Sequence, residues 1–160
     1  MYLFIGQVFL MIMVGMITQP KKSANYHNYL NGTGAAVLED TVGTLEMMSD
    51  EMFMSDPEGQ LTIIFTYGEL PKYTLGLAMR GERTCRIIVS HVMNPETSVS
   101  YDEADLKAVL THEIGHCFGM DHYKKEDHIM YWAYNGGEHS FDQVTEFVED
   151  LKKYRNVSIF

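Results

Sequence analysis

The stretch HEIGHCFGMDH, residues 112–122, decides the fold. Its form, H-E-x-x-H-x-x-G-x-x-H, combines three histidines and one glutamate at metal-site spacing. In an α-helix, with about 3.6 residues per turn, His112 and His116 project from the same face, one turn apart. Helix geometry alone therefore brings two imidazole ligands together, and the stretch predicts a helix that carries a zinc site.

The remaining residues of the motif complete this site. Glu113 leaves the helix about 100° away from His112, so its carboxylate meets a water on the metal rather than the metal itself. Its predicted role is general base. Gly119 can adopt a positive φ and end the helix, which lets the chain turn back and bring His122 in as third ligand. A bare H-E-x-x-H also occurs by chance in unrelated helices, but these two additional positions make coincidence much rarer.

The full pattern resembles the signature of the metzincin metallopeptidases, which carry a methionine turn shortly after the third histidine. The segment HIMYWAY, residues 128–134, places Met130 eight positions beyond that histidine. Tyr131 and Tyr134 make this segment most similar to the matrixin version of the turn, although Trp132 stands where matrixins usually have proline. In a chain with twelve methionines, ordinary core packing is the alternative for Met130. Its position after the zinc motif favours the methionine turn.

The resemblance also implies contacts to a protein or peptide substrate. In matrixins the edge strand above the metal carries a G-x-L-A-like stretch whose backbone pairs with an extended substrate, and LGLA, residues 75–78, resembles it. Leu77 and Ala78 are therefore the predicted substrate-backbone contacts, by strand addition. Core packing is the alternative for Leu77. Three aromatic residues are predicted to line the pocket for the residue after the cut, with packing below the metal as their alternative: Tyr131, Trp132 and Tyr134.

The periodicity of apolar residues outside the motif predicts the rest of the fold. Helical spacing predicts a scaffold helix over residues 35–53, preceded by Thr33 as its cap. Alternation of period two predicts a strand over residues 61–67, and strand-like segments follow at 73–79 and 85–90. The sheet is expected to have at least three strands.

Two capping boxes indicate where the later helices begin. Ser100 with Glu103 precedes the zinc helix, and Ser140 with Gln143 precedes an amphipathic final helix. The order of elements is similar to that of the matrixin catalytic domain over roughly residues 34–155. The expected fold class is therefore α+β, a metzincin-like zincin domain with a small mixed twisted sheet, a scaffold helix, a zinc-site helix and a C-terminal helix.

Composition limits the classes of function. With 160 residues, of which 46% are hydrophobic, the chain can bury one core and has no room for a second ordinary domain. A net charge of −10 argues against binding to nucleic acid or to anionic membrane surfaces. Cys85 and Cys117 leave open one bridge or two free thiols. Because Cys117 follows a ligand on the helix, it is expected to point away from the metal and to pack as a small hydrophobe.

The N-terminal region predicts a location. Residues 1–18 contain no charged side chain and approach the length of a membrane-spanning helix, which predicts an export signal or membrane anchor, with a buried segment of the domain as the alternative. Residues 19–33 read as a linker and residues 34–160 as the catalytic domain. Lys21 and Lys22 follow the apolar run, and the positive-inside tendency would leave the domain in the cytoplasm. This conflicts with the secreted or membrane-anchored location that the resemblance implies.

The predicted function is a zinc-dependent endopeptidase with one catalytic ion held by the three histidines of the motif, while calcium is left open. Glu113 would take a proton from the metal-activated water and hand it to the departing amine. The alternative is a non-catalytic membrane or particle component that keeps the fold with a structural zinc. Four further histidines lack paired spacing and receive no role: His27, His91, His128 and His139.

Overall fold

The structure is a computed structural model that describes residues 24–49, 53, 61–92, 96, 98–134 and 136–155. It confirms the expected α+β class, with four strands and three helices in the described part of the chain. In chain order the elements are β1 (Ala24–Asn28), α1 (Gly32–Ser49), β2 (Leu61–Gly68), β3 (Gly76–Arg80), β4 (Thr84–Ser90), α2 (Glu103–Cys117) and α3 (Phe141–Arg155).

The sheet is mixed and has the strand order β1-β2-β4-β3. Strands β1 and β4 both run parallel to β2, whereas β3 runs antiparallel to β4. Strand β3 is therefore an edge strand, and its outer backbone groups are available to a further strand. Helix α2 packs against β3, β4 and α1, and α1 packs against α3.

Alternation in β2 explains the core of the sheet. Leu61, Ile63 and Phe65 are buried, while the residues between them are only half-buried. Ile87 of β4 and Leu110 of α2 are fully buried as well and belong to the same core. Helix α2 thus forms part of the main hydrophobic core, which restricts how far the predicted ligands on it can move.

The interpretation of residues 19–33 as a linker is wrong for the five residues of β1. Ala24 is buried, and β1 pairs in parallel with β2. The Tyr26 hydroxyl donates a hydrogen bond of 2.6 Å to Glu39 Oε2 on α1. The strand was missed because its residues are mostly polar, and tertiary pairing overrides their low strand propensity. Residues 1–18 lie outside the described residues, and none of the helices described is long and apolar enough to cross a membrane.

The helix boundaries correct two predicted caps. Helix α1 begins at Gly32, so Thr33 lies inside its first turn, and Phe53 lies in an isolated bridge beyond the helix. Helix α2 is capped by Asp102, whose side chain accepts a 2.7 Å hydrogen bond from the Asp105 backbone, not by Ser100. An aspartate immediately before the first helical turn is an equally good N-cap, and it also favours the helix dipole.

The capping box of α3 is confirmed. The Ser140 backbone donates to Gln143 Oε1 at 2.8 Å, and the Gln143 backbone donates to Ser140 Oγ at 3.3 Å. Strand β3 begins at Gly76, later than predicted. The residues before it form a turn in which Thr74 N–H donates to Pro71 O at 2.9 Å.

Cys85 and Cys117 form a disulfide with a Cα–Cα distance of 5.6 Å, which decides between the two states that the spacing left open. Cys117 is therefore a bridged residue and not simply a small hydrophobe. The bridge joins β4 to the C-terminal end of α2 and closes a separation of 32 residues. In the chain-entropy description, a loop of this size stabilises the fold by about 3–4 kcal/mol.

Candidate metal centre

Three imidazoles meet at the end of the zinc helix. The Nε2 atoms of His112 and His116 are 3.1 Å apart, and each lies 3.2 Å from Nε2 of His122. A tetrahedral zinc with Zn–N bonds of about 2.0–2.1 Å requires ligand nitrogens about 3.3–3.4 Å apart, so the geometry fits this ion. No fourth histidine, cysteine or carboxylate joins the group within the described ranges.

The Nδ1 atoms of two ligands are held by backbone carbonyls. His112 Nδ1–H donates to Ile129 O at 2.7 Å, and His116 Nδ1–H donates to Met120 O at 2.7 Å. A proton on Nδ1 leaves the Nε2 lone pair free for a metal. Burial lowers the pKa of His112 to about 4 and also lowers the pKa of His116. Both rings are therefore neutral at neutral pH, which is the form that binds zinc.

The chain turns at Gly119 as predicted. This residue has a φ of +102°, in the region that favours glycine. Met120 N–H donates to Gly115 O at 3.0 Å and closes the helix end. His122 then lies in the following loop, where Tyr123 N–H donates to Met130 O at 2.8 Å. The residue after the third predicted ligand is thus hydrogen-bonded to the methionine turn.

Met130 lies fully buried below the zinc helix, against Gly115. A Cβ built on Gly115 would overlap Met130 Sδ and would lie 2.9 Å from Phe147 Cε2. The Met130 side chain therefore occupies the space that a side chain at position 115 would need. Sequence reasoning missed this glycine, since its requirement comes from residues far along the chain.

Glu113 is buried, with 6% of its surface exposed. Burial raises the pKa of its carboxyl to about 7, and a hydrogen bond from the Ala78 backbone partly opposes the shift. Gly76 of β3 lies directly against this side chain, because a Cβ at Gly76 would be 2.7 Å from both Glu113 Cγ and Oε1. Gly76 was also missed as a site residue, although it lies inside the LGLA stretch.

The register of β3 decides which backbone groups face outward. Leu75 O accepts from Ser90 N at 2.9 Å, and Leu77 is paired with Ile88 two positions further along. Because pairing alternates along an antiparallel ladder, the backbone of Leu77 faces β4, whereas that of Ala78 faces the free edge. Side chains alternate along a strand, so the Leu77 side chain lies on the opposite face of the sheet from Gly76 and Ala78, which lie against Glu113 and the core, and its 41% exposure rules out the core-packing alternative.

A cleft of about 920 Å³ runs between β3 and the segment after the methionine turn. It is lined by the three histidines, by Glu113 and by all of the predicted substrate-binding residues: Leu77, Ala78, Tyr131, Trp132 and Tyr134. Trp132 is 69% exposed and Tyr131 is half-buried. The Tyr134 hydroxyl donates to Asp105 and also lies 3.1 Å from Gly137 O, so this residue connects α2 to the loop. The structure thus brings the predicted residues together around one cavity.

His128 has a structural role that sequence reasoning did not assign. It is 3% exposed, and its Nδ1 accepts a hydrogen bond from Met130 N–H at 3.0 Å. Among the other histidines without an assigned role, His91 stacks on Tyr67 with ring centroids 5.1 Å apart, and His139 lines the cleft. A single histidine without paired spacing carries no sequence signal that separates these cases.

Comparison with known proteins agrees with this geometry. The family model for matrixins (Peptidase M10) matches residues 21–154. The metalloendoproteinase 5-MMP of Arabidopsis thaliana is 34% identical over 76 residues, which is 48% of this chain but only 18% of the plant protein. The crystal structure of archaemetzincin from Methanopyrus kandleri has a TM-score of 0.51 at 14% identity, covering 88% of this chain and 99% of that chain. The archaeal likeness shows a shared fold.

The family match includes the histidine motif, the methionine turn and all seven elements of the described structure except the last residue of α3. It therefore confirms the resemblance that the motif implied. The chain belongs to the matrixin family of zinc-dependent metallopeptidases.

Proposed function

We propose that this protein is a zinc-dependent endopeptidase that hydrolyses internal bonds of extended peptides. The observation that carries the proposal is the position of buried Glu113 between the three-histidine cluster and a free strand edge. A structural zinc would need a fourth protein ligand, and the described residues supply three. The non-catalytic alternative is therefore disfavoured.

The donor set fits one zinc ion. Nδ1 hydrogen bonds to backbone carbonyls orient His112 and His116, and His122 completes the trio. A zinc bound by these three rings supplies a Lewis acid that polarises the scissile carbonyl and lowers the pKa of water. The proposal is confined to one ion, since the residues that the structure describes contain one such cluster.

Glu113 supplies the proton transfers. A carboxyl with a pKa of about 7, raised by burial, can both take up and return a proton near neutral pH. Its carboxylate accepts a proton from the attacking water as the water oxygen bonds to the carbonyl carbon. The bond from that carbon to the amide nitrogen then breaks, and the departing nitrogen receives the proton from Glu113.

The substrate is proposed to add as a further strand along β3. The outward-facing carbonyl of Ala78 accepts a hydrogen bond from the peptide main chain, since the Ala78 N–H is donated to Glu113, and the exposed Leu77 side chain contacts the side chains of the peptide. On the other side of the cleft, Tyr131, Trp132 and Tyr134 form the wall for the residue after the cut. Main-chain pairing favours extended peptides, while these side chains select among sequences.

The test compares the wild-type chain with Glu113→Gln on a diverse peptide mixture. Loss of a general base is expected to reduce turnover by roughly 10²–10⁴-fold, while bound zinc stays at the wild-type level. The matched control is Glu103→Gln, an exposed carboxylate on the same helix, which is expected to leave turnover unchanged. A chelator should abolish the cuts, and added zinc should restore them. Absence of chelator-sensitive cuts in the wild-type protein would favour the structural alternative.

A further inference from the structure

We propose that His128 is a positioning residue, which, together with Asp150 of α3, orients the methionine turn and the zinc ligands attached to it. The inference rests on the proposed zinc site. It concerns how tightly this chain holds the ion, and not which bond it cleaves.

The ring of His128 has a defined hydrogen-bonding direction. Nδ1 accepts the Met130 N–H at 3.0 Å, so the ring proton must be on Nε2. The Nε2 atom is buried and makes no hydrogen bond, and Oδ2 of the Asp150 carboxylate lies 3.5 Å from it. Burial lowers the pKa of His128, which keeps the ring neutral, although the carboxylates of Glu146 and Asp150 oppose the shift. An imidazolium ring could not accept the Met130 N–H.

The same ring contacts the residue that follows the third ligand. His128 stacks on Tyr123 with ring centroids 4.3 Å apart and an interplanar angle of 21°. The Tyr123 hydroxyl is hydrogen-bonded to Asp150, which also faces His128. His128 and Asp150 thus connect α3 to the loop that carries His122.

The turn that His128 fixes also holds the first ligand. Ile129, the next residue, provides the carbonyl that accepts the Nδ1–H of His112 at 2.7 Å. Met130, one residue further, lies against Gly115 of the zinc helix. A shift of the turn would therefore move two carbonyls together: that of Ile129, which accepts from His112, and that of Met130, which accepts from the backbone next to His122. Loss of such outer contacts typically weakens metal binding by about 10–100-fold.

A matched pair of polar variants tests the role. His128→Asn places an amide near the position of Nδ1 and can still accept the Met130 N–H. His128→Gln places its amide near the position of Nε2 and loses that acceptor. Both variants bury a similar amide, so a purely structural effect would be similar in the two. The control is His91→Asn, which removes an exposed imidazole that stacks on Tyr67.

The measurement is the zinc dissociation constant of the full chain by competition with a chromogenic chelator, alongside the melting temperature of the metal-free protein. We expect His128→Gln to bind zinc about 10–100-fold more weakly, with His128→Asn and the control near wild type. Equal zinc affinity in both His128 variants, or weaker binding in His128→Asn, would overturn the assignment, whatever the melting temperatures. Because no peptide is cleaved in this assay, its outcome is independent of whether the wild-type chain is an endopeptidase.

Discussion

The cleft lies between two walls, here called the floor and the roof, which are held in place in different ways. The floor, formed by residues 112–117 of α2 and the methionine turn at 128–131, belongs to the hydrophobic core and is tied to β4 by the disulfide. The roof, strand β3, is an edge strand with exposed Leu77 and Met79 side chains. Core packing thus holds the residues proposed to bind the metal, whereas the strand proposed to bind the substrate is paired on one side only, with β4, and packs against α2.

Glu113 is a side chain of the floor that also contacts the roof. It starts from the floor helix, yet its carboxylate accepts a hydrogen bond from Ala78 and lies against Gly76 in the roof. The proposed general base is therefore positioned by both walls. A change in either wall can affect turnover, but only changes in the floor should affect zinc binding.

Among changes that keep Glu113 itself, the largest expected effect comes from Gly76→Ala, at the position where β3 contacts the Glu113 side chain. The new methyl group would lie 2.7 Å from Glu113 Cγ and Oε1, so the carboxylate must move. We expect kcat to fall by roughly 10–100-fold, equivalent to about 1.4–2.7 kcal/mol, with zinc content unchanged. The control is Met79→Ala, an exposed position on the same strand. Wild-type kcat in Gly76→Ala would mean that the roof does not position Glu113.

A smaller effect is expected in the floor from Gly115→Ala. The added methyl group would overlap Met130 and crowd Phe147 in the core, and such overpacking costs about 1–3 kcal/mol. Higher helix propensity returns about 1 kcal/mol, so we expect a net loss of up to about 2 kcal/mol in the free energy of unfolding. Denaturant titration of the metal-free protein measures it.

The matched control for this variant is Gly43→Ala in the middle of α1. A Cβ at Gly43 would meet nothing within 4 Å, so this change should stabilise the protein by about 0.5–1 kcal/mol. Effects of the same sign in the two glycine variants would contradict the close contact between the methionine turn and the zinc helix.

The proposed zinc-site residues on α2 could be predicted from the sequence because the spacing that brings them together lies within one helix and the turn that follows it. His112, His116 and Glu113 are related by helix geometry, and Gly119 by the turn that follows. Gly115 could not be predicted, because Met130 is the residue that excludes a side chain there. His128 has the same limitation, since its contacts with Tyr123 and Asp150 form only when α3 packs against the turn.

The sheet was only partly predictable, for a related reason. Strand β2 shows its alternation in the sequence, whereas β1 is short and polar and is a strand because β2 and α1 hold it there. The LGLA stretch indicated the edge strand, but the side on which each backbone group lies follows from pairing with β4. Local patterns thus located the elements, and tertiary contacts determined their register.

The smallest expected effect comes from Tyr101→Phe, which tests the roof alone. The Tyr101 hydroxyl donates to Leu75 O at 3.0 Å, just before β3 begins, and its loss should cost about 0.5–1.5 kcal/mol. Since the ring is kept and no zinc ligand is touched, we expect kcat/KM for extended peptides to fall by about two- to tenfold, mainly through KM. Tyr29→Phe, at an exposed tyrosine, is the control. If Tyr101→Phe weakened zinc binding instead, β3 would support the proposed zinc ligands as well as the substrate, and the two walls would not act independently.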